Sequence, residues 1–166
     1  LWLETFARDH AFTFVDHCLR HGDSLVGASL KQIRSVSLDV AKGAQLDTVA
    51  KLVGDTLTKV TTLRGAIHAV GDDDPPDNDG LRALWKQAQD ALFDARAVGD
   101  LVVAGFFGQK SDRDRSKWLS AWHAGVIAWL SGDANGAEVQ RETRRVLEKH
   151  GVVPFHWALE FPEVFE

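Results

Sequence analysis

The sequence predicts a mainly α-helical protein: a long antiparallel helical hairpin, two shorter helices, and two short strands at the ends. Three observations carry this. Apolar residues recur every three or four positions over two long runs, a turn dense in proline, glycine and aspartate separates them, and strand-like segments occur only near the termini. Stripes of this period mark helices that bury one face. Two such helices of comparable length, joined by a short polar turn, should pack antiparallel with coiled-coil-like spacing.

Taken in order, Leu1-Trp2-Leu3 opens inside an apolar helical pattern with no capping residue before it, and this short helix ends near Asp9. Ala11 to Val15 alternates apolar and polar positions and has strand propensity. Residues 19–30 carry Gly22, Gly27 and small polar side chains and read as a loop. Lys31 to Gly43 is ambiguous and allows an extended stretch that turns into a helix.

From Leu46 the pattern sharpens. Leu46, Val49, Val53, Leu57, Val60, Leu63, Ile67 and Val70 form one stripe, and Asp47, Lys51, Asp55 and Lys59 fall largely off it. Gly54 and Gly65 each weaken this helix by roughly 1 kcal/mol relative to alanine, so packing must support it. The segment Gly71 to Gly80, with two prolines, two glycines and five aspartates, breaks the helix. Leu81, Leu84, Ala88, Leu92, Ala95, Val98, Val102 and Phe106 then form the second stripe.

Ser111, with Asp114 three positions on, resembles a capping box and opens a third helix, whose aromatic face carries Trp118, Trp122 and Trp129. Ser131-Gly132-Asp133 stops it. A fourth helix runs from about Gly136 to Lys149, with Gly151 as its C-terminal cap. Pro154 to Glu160 has the aromatic and apolar content of another extended strand. Two strands with only helices between them imply a sheet supplied mostly by chain outside this sequence.

Composition points the same way. The sequence contains no methionine, which predicts an excerpt of a longer polypeptide. The single cysteine, Cys18, excludes an internal disulfide and fits a reducing compartment. No run approaches the ~18 apolar residues of a membrane span, and no signal peptide is visible, so a cytoplasmic protein is the simple expectation. The net charge of −5 counts mildly against a free-standing nucleic-acid-binding domain.

Two blocks carry more specific information. Phe155-His156-Trp157 followed by Glu160-Phe161-Pro162-Glu163-Val164-Phe165, read with Phe12-Thr13-Phe14-Val15-Asp16-His17 and His21-Gly22-Asp23-Ser24-Leu25-Val26-Gly27, resembles adenine-specific DNA methyltransferases. These are the enzymes of single-chain (type IIG-like) restriction–modification systems and the related BREX and DISARM phage-defence methylases. In that family the first block precedes the Asn-Pro-Pro-aromatic loop that holds the flipped adenine. The second resembles a strand and the loop that meets the adenine ring of S-adenosylmethionine. The resemblance lies at the two ends of the chain, and the long middle carries no such motif. It implies that residues 1–30 are part of a Rossmann-like methyltransferase core, 31–150 a helical insertion, and 151–166 a return strand into that core. DNA and the remainder of the methyltransferase polypeptide are then the implied partners, with S-adenosylmethionine the implied cofactor of the larger protein and none expected for this chain alone. Neither the glycine-rich donor loop nor the Asn-Pro-Pro-aromatic loop is present, so this chain is expected to be inactive by itself.

Site residues follow with their alternatives. The resemblance implies that Asp23 accepts a hydrogen bond from the adenine amine and that the Ser24 amide reaches a ring nitrogen. Gly22-Asp23-Ser24 is equally readable as an ordinary turn. Asp16, His17, Cys18 and His21 fall short of the paired Cys or His spacing that zinc sites use and read better as a hydrogen-bonded cluster. Strand alternation would put His156 and Glu160 on one face, and these two with Glu163 would suit hydrolysis only by converging on a cleft; packing and positioning is the favoured role. Lys110, Arg113, Arg115 and Lys117 form one basic run and Arg141, Arg144, Arg145 and Lys149 another. Interleaved carboxylates, with pairs such as Glu142–Arg145 and Arg144–Glu148 at helical contact spacing, favour an exposed face. The alternative to a methyltransferase segment is a helical interaction module docking DNA backbone or a partner subunit.

Overall fold

The computed structural model describes residues 19–41, 43, 46–69, 78–133 and 136–165. The expected helix before Asp9, the strand Ala11–Val15, the residues Asp16, His17 and Cys18, and positions 71–77 of the hairpin turn lie outside the described residues. Among the described residues seven helices follow one another: α1 (Leu30–Ser35), α2 (Asp47–His68), α3 (Asn78–Gly108), α4 (Asp112–Leu130), α5 (Ala137–His150), α6 (Trp157–Glu160) and α7 (Pro162–Phe165). None is long and apolar enough to cross a membrane.

The two predicted stripes form the largest helix–helix interface, α2 against α3. Val49, Val53, Leu57, Val60 and Ile67 are buried in α2, while Asp47, Lys51, Asp55 and Lys59 are exposed. In α3 the stripe Leu81, Ala88, Leu92, Ala95 widens at Val98 and Leu101–Ala104, which are buried on all sides. A helix apolar all round is a core helix; α3 packs on α2 along one side and on α4 and α5 along others.

Ser111 caps α4, its hydroxyl accepting from the Asp114 amide at 3.2 Å and donating to the Asp114 carboxylate at 2.6 Å. The fully buried side chains of α4 are Leu119 and Val126; the tryptophans of its aromatic face are half-buried and pack at the margin of the core. Trp118 meets Trp122 edge-on at 5.9 Å, and Trp129 meets Phe93 at 6.5 Å. In α5, Val139, Thr143, Val146 and Leu147 face inward, and Gly151 closes the helix in the left-handed conformation.

Two local expectations are corrected. Between residues 31 and 43 the helix comes first, not last. Ser29 and Gln32 form a reciprocal capping box that starts α1 at Leu30, a signal legible as Ser-x-x-Gln. The helix ends at Val36 with φ 44°, a costly left-handed conformation for a β-branched residue, held by full burial of its side chain.

The second correction concerns Pro154–Glu160, which is not a strand. Among the described residues no sheet forms; Pro154 makes one isolated parallel bridge with Asp23. The chain then coils, with the Leu159 and Glu160 amides donating to the His156 carbonyl at 2.8 and 3.0 Å. Burial follows the helical period, His156 with Leu159 and Glu160, rather than alternate residues. Without a ladder to donate to, these amides satisfy themselves locally.

Candidate functional site

The loop 19–29 and the segment 152–163, remote in sequence, form one junction on the side of α3. The Asp23 amide donates to the Val153 carbonyl and the Phe155 amide to the Val26 carbonyl, both at 2.7 Å. The Trp157 indole N–H donates to the Ser24 carbonyl at 2.9 Å. Gly27 leaves no room for a side chain: a Cβ there would stand 2.1 Å from the Phe155 carbonyl oxygen.

Two buried polar groups lock this junction to the helical body. His156, 2% exposed, accepts from the Ala28 amide through Nδ1 at 3.0 Å. Because that amide can only donate, Nδ1 is the bare nitrogen, and Nε2–H donates to Asp100 of α3 at 3.0 Å. The ring rests on Gly99, where a Cβ would lie 2.7 Å from ring atoms.

Glu160 is the second lock. Its carboxylate takes a two-pronged bond from Arg96, Nε to Oε1 at 2.6 Å and Nη2 to Oε2 at 2.7 Å, and an ion pair from Arg20 at 3.0 Å. Arg64 donates to its backbone carbonyl and pairs with Glu163 at 2.6 Å. Arg20 lies over the Trp85 ring at 4.2 Å. Burial pulls the Arg20 guanidinium below its ordinary value, Arg64 and Arg96 add to this, and Glu160 partly offsets it.

Of the residues singled out in the sequence, Asp23 and Ser24 sit together on the exposed rim of the junction. One Asp23 oxygen accepts from the Leu25 amide at 3.0 Å, an Asx turn, and the Asp23 carbonyl accepts from Val26 at 3.0 Å. Leu25 beside them is 93% exposed. His156, Glu160 and Glu163 do not converge on a cleft; each is tied to a different cation or acid of the helical body. His21 is exposed, and no group of three or more potential metal ligands occurs among the described residues.

Arg64, Arg96 and Asp100, which complete the locks, drew no notice in the sequence. A signal existed for Arg64: it falls on the apolar stripe of α2, between Val60 and Ile67. Arg96 and Asp100 looked like ordinary surface charges of a long helix.

In the basic runs, Arg115 is structural. It donates to the Phe106 and Gln109 carbonyls at 3.2 Å, pairs with Asp112 at 2.8 Å and covers the Phe106 ring at 4.2 Å. Arg145 forks onto Glu142 with two bonds of 2.7 Å and holds its carboxyl below the usual range. No family model, no curated protein and no solved structure matches this chain.

Proposed function

We propose that this chain is a segment of an S-adenosylmethionine-dependent adenine-specific DNA methyltransferase, chiefly its helical insertion, and that it transfers no methyl group by itself. The observation that supports this is the junction. The described part of the N-terminal block, residues 21–27, is separated in sequence from the C-terminal block by the whole helical body, yet lies beside it through the Asp23–Pro154 bridge and the Ser24–Trp157 bond.

The rim suits one edge of an adenine ring. Asp23 is exposed and has a second carboxylate oxygen to accept from an exocyclic amine, the neighbouring Ser24 amide can donate to a ring nitrogen, and Leu25 offers an apolar surface. S-adenosylmethionine would supply the methyl group, and the larger enzyme would extrude the target adenine from the duplex to receive it.

The test is methyl incorporation into duplex DNA from tritiated S-adenosylmethionine by the longer polypeptide that carries this chain. Label should appear on adenine, and Asp23→Ala should raise KM for the methyl donor while leaving kcat nearly unchanged. Methylation by the isolated chain, or a longer polypeptide whose KM ignores Asp23→Ala, refutes the reading.

A further inference from the structure

The end of the bundle where α3 stops, α4 starts and α5 stops gathers cations that the sequence spreads over two runs. The Phe107 ring of α3 packs on the His150 ring of α5 at 5.8 Å, so Lys149 stands beside the α3 terminus. Arg115 ties the first turn of α4 to the Phe106 and Gln109 carbonyls, placing Lys110, Arg113 and Lys117 at the same end. Arg113 and Lys117, one helical turn apart, line an open groove with Leu38–Ala41, the Asp112–Arg115 pair and Ser116.

What these four cations share is one end of the bundle, where they stand exposed with no ion-pair partner among the described residues. Lys110, Arg113, Lys117 and Lys149 are exposed, and among the described residues no carboxylate lies within ion-pair distance of them. The nearby acids are turned to other work: Asp112 pairs with Arg115, Asp114 binds the Ser111 cap, and Asp39 accepts from the Ala41 amide. Glu148 lies one groove away, beside Arg141, Arg144 and Arg145. The chain as a whole carries −5, so a cationic end is a local departure from its average.

We infer that this end binds the phosphate backbone of a duplex nucleic acid through Lys110, Arg113, Lys117 and Lys149. Exposed ammonium and guanidinium groups on flexible stems can meet phosphates without reading base edges, which gives contact without sequence preference. The inference stands independently of the methyltransferase reading, since it uses none of the residues of the junction.

The test is fluorescence anisotropy of a labelled DNA duplex of arbitrary sequence, titrated with this protein across a salt series. Four phosphate contacts predict a log–log salt slope of about −3.6, and hence about 150-fold weaker binding at 200 mM than at 50 mM salt. Arg113→Ala with Lys117→Ala should halve the slope, to about −1.8. Lys51→Ala with Lys59→Ala, exposed cations on α2, should leave it unchanged. Circular dichroism of each variant separates lost contacts from lost fold. No binding at 50 mM, a slope indifferent to Arg113 and Lys117, or tighter binding to anionic phospholipid vesicles or polyglutamate than to DNA would overturn the assignment.

Discussion

Replacing Glu160 by glutamine tests whether the junction is held by its buried charges. The carboxylate is 8% exposed and neutralises Arg96, itself 27% exposed, and Arg20, 7% exposed. An amide of the same shape keeps one acceptor but turns an NH2 donor toward guanidinium donors, so at least one charge-assisted bond is lost, worth about 1.5–3 kcal/mol. It also leaves buried cations short of an anion, and removing one partner of a buried pair costs about 3–5 kcal/mol. Partial hydration of Arg96 places the expected loss near the lower end, about 3 kcal/mol. With a urea m-value of about 2 kcal/mol/M, the midpoint should fall by about 1.5 M at unchanged slope. In a double-mutant cycle with Arg96→Gln, the double variant should lose less than the sum of the singles by about 1 kcal/mol or more. A midpoint shift under about 0.3 M, or strict additivity, would show that the arginines are hydrated and the network energetically idle.

Two further outcomes are expected. Gly65 is exposed within α2 with open space where a Cβ would go, so Gly65→Ala should stabilise the fold by about 0.5–1 kcal/mol and raise Tm by a few degrees; a fall in Tm counts against the helix geometry there. Arg145→Ala should let the Glu142 carboxyl titrate upward toward 4.5, followed by carboxyl-carbon NMR. The folded value lies below the unfolded one, so this pair's contribution is present above the unfolded value and fades as pH falls through the folded one. An unmoved titration would show that the fork is not what holds Glu142 down.

The hairpin was legible because α2 and α3 are amphipathic over many turns, and a repeated stripe outweighs the cost of Gly54 and Gly65. Ser111 and Gly151 were legible because caps follow from local backbone chemistry. Pro154–Glu160 misled because Phe155-His156-Trp157-Ala158-Leu159 offers strand-forming residues while the partner strand that would use them is absent among the described residues. The locks of the junction could not be seen, since His156 finds Asp100 and Glu160 finds Arg96 across the fold. Each member taken alone is an unremarkable polar residue, and only Arg64, a charge amid an apolar stripe, carried a local signal that could have been read.

The bonds from the Asp23 amide to the Val153 carbonyl and from the Phe155 amide to the Val26 carbonyl also hold the two ends of the helical body side by side. Its two stems leave from adjacent points, so the body behaves geometrically as a cassette. On the proposed methyltransferase reading, the larger enzyme needs only two attachment points about 5 Å apart, the ordinary spacing of neighbouring extended backbones. On that reading, helices within the body can lengthen or shorten without moving the edges they spring from.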